Sequence, residues 1–164
     1  MVGVSFAVAN SGGPCDGASS EAGWRTAMNP ENANRVTALL TALVIFDFIL
    51  TTVAFFFPQL WFDVFHGVAY VDPQGFLRRC GANWAAFLLF QAIALWRWRR
   101  EPDWLAVVAG VRLSDIFTDM MYANVAQDVT WFARLSLPGM GLVNLAMGVW
   151  FLRQYRLLVA EKVK

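Results

Sequence analysis

From Val36 to Phe57 the chain runs for 22 residues with threonines and Asp47 as its sole polar side chains. As a helix that stretch is about 33 Å long, a little more than the ~30 Å hydrocarbon core of a bilayer. The rest of the chain agrees with it. It is 58% hydrophobic and 15% charged, with 14 Phe and 8 Trp among 164 residues. Soluble domains carry nearer ~25% charged side chains. Net charge is +1, which gives no basic excess for a nucleic-acid partner. Two cysteines, Cys15 and Cys80, cannot make a disulfide framework, and no Cys/His cluster is spaced for zinc. The expected class is an all-α integral membrane protein whose first partner is the lipid bilayer.

Punctuation predicts an antiparallel four-helix transmembrane bundle with a short outer interfacial helix. Asn29-Pro30-Glu31 offers an N-cap, a proline at the first helical position and an acid in the first turn. Pro58 marks the end of that helix. Asp72-Pro73 repeats the cap-plus-proline signal for a second helix. Glu101-Pro102 stops the second and starts the third, making these two a tight hairpin, and Pro138 starts the fourth. Spans are expected at about 35–57, 78–97, 103–125 and 138–158. Between the first two, Leu60, Trp61, Phe62, Val64 and Phe65 read as a helix lying on the outer surface. Residues 128–137, with Trp131 and Phe132, read as a second such piece.

Residues 1–28 differ in kind. They are rich in Gly, Ser, Ala and Asn, lack apolar periodicity, and are expected to be a disordered tail ahead of a 29–164 membrane domain. Met28 is an alternative start. With the N-terminus inside, nine cationic residues lie on the inner side: Arg25, Arg35, Arg97, Arg99, Arg100, Arg153, Arg156, Lys162 and Lys164. The outer side holds Arg78, Arg79 and Arg134. The positive-inside rule then puts both termini in the cytoplasm, with a bacterial inner membrane as the expected location.

The polar residues inside the spans are the candidate site. An ionisable side chain at bilayer depth costs at least ~2.5–3.5 kcal/mol on insertion scales, so these groups should face one another. In helix three, Arg112, Asp115, Asp119 and Tyr122 fall within an arc of about 80°, one stripe. Arg112 and Asp115 are spaced to pair, which leaves Asp119 needing another partner. Asp47 in helix one, Asn83 and Gln91 in helix two, and Asn144 in helix four add polar groups to the same interior. Gly141 and Gly148 flank Asn144 and permit close helix approach. Asp47, Asp115 and Asp119 give three acids against Arg112.

Weaker signals accompany these. Asp63 and His66 sit three apart on the outer helix, a thin basis for a metal or a pH sensor. The spacing Asp115-x-x-x-Asp119 resembles the acid pair of the CDP-alcohol phosphotransferases, but the acid-Gly and Ala-Arg elements that precede it there are absent. No family is assigned on it. There is no nucleophile, metal set or cofactor box, and no cofactor is expected. The expected role is a small non-enzymatic subunit or accessory factor, in a homo-oligomer or a larger membrane complex. A proton-coupled small-solute pathway through the intramembrane acids is the alternative. An intramembrane acid/base enzyme acting on a lipid-like substrate is a third reading.

Overall fold

The structure, a computed structural model, describes residues 29–162. The expected tail over 1–28 lies outside the described residues. Within them the chain is all-helical, with five helices and no strand: α1 Pro30–Phe56, α2 Pro58–Phe65, α3 Phe76–Arg97, α4 Asp103–Val125 and α5 Trp131–Lys162. Two of these, α1 and α5, are long and apolar enough to cross a membrane. Their most apolar stretches are only 22% and 28% buried inside the protein. The remaining two long helices, α3 and α4, fall short of that standard, so four spans do not follow from hydropathy. The cause is visible in the sequence: α3 carries Asn83, Gln91 and arginines at both ends, and α4 carries Arg112, Asp115 and Asp119.

Local chemistry sets the helix ends. At α1 the Asn29 side chain accepts from the Glu31 N–H at 3.1 Å, Pro30 occupies the first turn, and Arg35 reaches back to Glu31 at 2.6 Å. Pro58 separates α1 from α2 at Phe57 and begins the second of them.

The start of α3 differs from the expectation at Asp72-Pro73. The helix begins four residues later, after Gly75 in the left-handed region at φ 68°. Asp72 still caps it, from a distance along the chain. Its carboxylate accepts from the N–H groups of Phe76 at 2.8 Å and Leu77 at 2.9 Å. Pro73 therefore sits in the turn between the cap and the helix, not at the first helical position.

The α5 helix also departs from its expected start. It begins at Trp131, two turns before Pro138, so the expected second interfacial piece is the first part of the same helix. The reason lies in Thr130. Its hydroxyl accepts from the Ala133 N–H at 3.2 Å, an N-cap, and donates to the Val64 carbonyl at 2.7 Å. The Thr130 N–H bonds the Phe65 carbonyl at 2.9 Å. One residue thus starts α5 and ties it to the end of α2. Ala133 and Leu137 are buried, and that packing carries the helix through the hydrogen bond that Pro138 cannot make.

The tight turn between α3 and α4 is present, but those helices are not each other's main partners. The larger interfaces are α4 with α5 and α1 with α3. Two apolar clusters result. One gathers Val36, Leu40, Trp98, Leu105, Val108 and Phe151 at the end that holds the α3–α4 turn. The other joins Ala54, Trp61 and Leu77 at the α2 end, where Trp61 stacks on Phe65 at 4.2 Å and meets Trp84 at 5.0 Å.

At the α4–α5 contact, a Cβ on Gly148 would come within 2.7 Å of Leu113 Cγ and 3.3 Å of the Ala109 carbonyl oxygen. On Gly141 it would meet the mobile tip of Met120 instead. Gly148→Ala should therefore lower stability by roughly 1–3 kcal/mol through overpacking, and Gly141→Ala by much less. Thermal unfolding of the two variants in one detergent checks the order.

Asp72 makes a second prediction. Partial desolvation raises its pKa, but the N–H donors of Leu77 and Phe76 and the Tyr70 hydroxyl outweigh that and hold it below the usual carboxylate value. A depressed folded pKa gives stabilisation that is present above the unfolded value of about 3.9 and lost as pH falls through the folded value. Wild type should lose stability in acid below about pH 4, and Asp72→Ala should remove that part of the profile. A pH series of unfolding midpoints checks it.

Candidate functional site

Between the two apolar clusters lies a layer of polar side chains. Its centre is Asp47, about two-thirds of the way along α1 and 1% exposed. The carboxylate oxygen Oδ2 accepts from Arg112 Nη2 of α4 at 2.7 Å and from Gln91 Nε2 of α3 at 2.6 Å. The Arg112 side chain is 2% exposed, and its Nη1 lies 3.4 Å from Asp115 Oδ2, one turn along the same helix. One guanidinium therefore bridges two carboxylates, and one carboxylate joins three helices.

A second pair sits beside the first. Asn144 Nδ2, from α5, donates to Asp119 Oδ2 at 3.2 Å. Asn144 is buried between Gly141 and Gly148, which bring α5 close enough for so short a side chain to reach α4. Asp119 has this amide, and not Arg112, within hydrogen-bond range. Several buried polar atoms of the layer have no hydrogen-bond partner among the described residues: Gln91 Oε1, Arg112 Nε, Asn144 Oδ1 and Thr51 Oγ1.

The structure brings together Asp47, Gln91, Arg112 and Asp115, with Asp119 and Asn144 adjoining. It separates the other two candidates from them. Tyr122, at the end of the α4 stripe, shares a hydrogen bond with His66 Nε2 of the α2 end. Asn83 is exposed. The spacing of four residues from Asn83 to Phe87 to Gln91 drifts about 40° per step around a helix, so Asn83 faces some 80° away from Gln91. Asp63 takes its hydrogen bond from Gln59 at 2.6 Å, and His66 faces Tyr122 instead of Asp63. Among the described residues no three of His, Cys, Asp and Glu converge as a metal set.

Two polar residues outside the layer were not among the expected ones. Gln154 is buried in α5, ten residues beyond Asn144, with Oε1 unpartnered. It was legible from the buried repeat Asn144, Gly148, Phe151, Leu158 that continues past the apolar run. Thr130 was not legible, because its partners Val64 and Phe65 lie far back in the chain.

The layer can hold four helices in one register, and it can hold polar groups away from lipid. No family model matches the chain, and no curated protein or solved structure is significantly similar to it.

Removing one member of a buried, hydrogen-bonded charge pair leaves the other uncompensated, at a cost of about 3–5 kcal/mol. Asp47→Asn and Arg112→Gln should each destabilise on that scale. Asp115→Asn should cost less, since its guanidinium contact is longer and its side chain is 14% exposed. Replacing Asp47 and Arg112 together by Leu should cost less than the two single losses added. Thermal unfolding of the four variants in detergent measures the coupling.

Proposed function

We propose that this chain is a small multi-pass membrane protein whose helices α1, α3, α4 and α5 all cross the bilayer, with both termini cytoplasmic. Its role in this reading is that of a non-enzymatic subunit or accessory factor of a bacterial inner membrane, held in a fixed register by its polar layer and assembling with copies of itself or with other membrane proteins. The single observation that carries the reading is the sharing of Asp47 Oδ2 by Arg112 and Gln91. It supports a crossing by α4, because the buried partner on α1 compensates the Arg112 charge that lowers that helix's hydropathy. The outward faces support the same conclusion. Phe48 and Ile49 on α1, Leu89 on α3, Phe117 and Met121 on α4, and Leu142 on α5 are all exposed. Exposed apolar side chains on all four long helices favour surroundings of lipid or protein over water.

A proton-coupled pathway is the second reading. What favours it is the Asp119–Asn144 pair, which stands outside the Arg112 ion pairs beside unpartnered amide oxygens.

Four crossings and two crossings differ in where the α3–α4 turn lies. In a Cys15→Ser, Cys80→Ser background, Arg100→Cys should label with a membrane-impermeant maleimide only after the inner face is opened. Gln74→Cys should label from outside in intact cells. Labelling of both positions from outside would mean that α3 and α4 do not cross. The subunit role is checked by whether cross-linked, detergent-extracted material runs as a complex larger than 18.4 kDa. A monomer at every concentration would speak against it.

A further inference from the structure

The outer face of α5 holds a recess of about 550 Å³ lined by Val149, Leu152, Arg153, Arg156, Leu157 and Ala160. The opposite face of the helix, with Asn144, Gly148, Phe151 and Leu158, is buried in the bundle, so the recess looks outward. Val149 is 55% exposed and Leu157 50%. Arg153 and Arg156 are exposed, three residues apart on one side of the helix, and neither has a hydrogen-bond or ion-pair partner among the described residues. Leu142 and Leu145 extend the exposed apolar strip from Val149 toward the middle of the helix. From Leu142 to Arg153 the helix rises about 16 Å, close to half the thickness of a bilayer's hydrocarbon core.

We propose that this recess binds an anionic phospholipid, with its phosphate on Arg153 and Arg156 and an acyl chain along Val149, Leu145 and Leu142. The inference rests on the membrane-crossing reading above. The chemistry fits one occupant in particular. Two adjacent guanidinium groups suit a phosphate, which each can engage through paired N–H donors. An apolar strip one leaflet long, capped at the level of the head groups by two positive charges, matches a phospholipid in both polarity and length. The same end of the bundle carries exposed Trp96 with Arg97 over its ring at 5.2 Å, an arrangement suited to a head-group boundary. A second copy of the chain fits less well: a two-fold contact through this face would set Arg153 and Arg156 against their own counterparts.

The test uses the full chain purified in a mild detergent. Phosphatidylglycerol and phosphatidylcholine are added in separate titrations, and bound lipid is counted by native mass spectrometry. Wild type should retain phosphatidylglycerol in preference to phosphatidylcholine. In Arg153→Gln/Arg156→Gln, affinity for phosphatidylglycerol should fall roughly ten-fold or more, since both charges that attract the anionic head group are lost. The control Arg78→Gln/Arg79→Gln, at the other end of the bundle, should keep the wild-type preference. Equal retention of both lipids by wild type, an unchanged preference in Arg153→Gln/Arg156→Gln, or an equal loss in the control would overturn the proposal. Competition by millimolar inorganic phosphate alone would also overturn it, by showing an anion site without a lipid requirement. So would efficient disulfide cross-linking of Leu157→Cys between two copies, which would assign the recess to a dimer. A chain that stays in the membrane pellet until detergent is added, yet shows no lipid preference, loses only this inference. A chain released without detergent loses the membrane reading as well.

Discussion

The Asp47–Arg112 pair is the constraint around which the bundle is arranged. Each partner is almost wholly buried, so neither charge is stabilised by water, and each depends on the other and on the hydrogen bonds around it. Gln91 fills a second position on the carboxylate, and Asp115 a second side of the guanidinium. Helices α1, α3 and α4 are thereby fixed in both rotation and height. A one-residue slip of any of them would leave a buried charge without its partner, a far larger penalty than the loss of a few apolar contacts. Apolar packing alone would not specify this, because the faces of the helices are similar in character.

The fifth element is tied in by different means. α5 meets α4 through Gly141 and Gly148, whose missing side chains allow the backbones to approach, and through Asn144, whose amide reaches Asp119. At the far end Thr130 links it to the close of α2. Close backbone approach and a few short polar contacts together hold this pair of helices. The layout is therefore one of apolar clusters at both ends with a polar layer between them, which concentrates specificity at mid-height.

The layer is well suited to setting register. Its one pair without a guanidinium contact, Asp119 with Asn144, is where a further role in proton or ligand binding has room to arise. The proposed lipid recess is on the outside of α5, away from this layer, and involves none of its residues.

The sequence by itself determined the helical class, the cap at Asn29, the short helix after Pro58 and the stripe of Arg112, Asp115 and Asp119. Each is local: a cap, a proline or a period of 3.6 is decided within one or two turns. Of the polar groups expected in the interior, Asp47, Gln91, Arg112 and Asn144 are buried, Asp115, Asp119 and Tyr122 are half-buried, and Asn83 is exposed. Hydropathy supports two candidate crossings, α1 and α5, and the charges of α4 count against that helix whether or not they are paired. Which charges meet was decided only by the tertiary structure. Arg112 can reach Asp115 from its own helix, and spacing reveals that contact; its shorter contact is with Asp47, 65 residues away, and no periodicity encodes a distance of that kind. The start of α5 was hidden for the same reason. Pro138 is a strong local signal, but Thr130 begins the helix earlier through bonds to Val64 and Phe65 that exist only once α2 has folded against it.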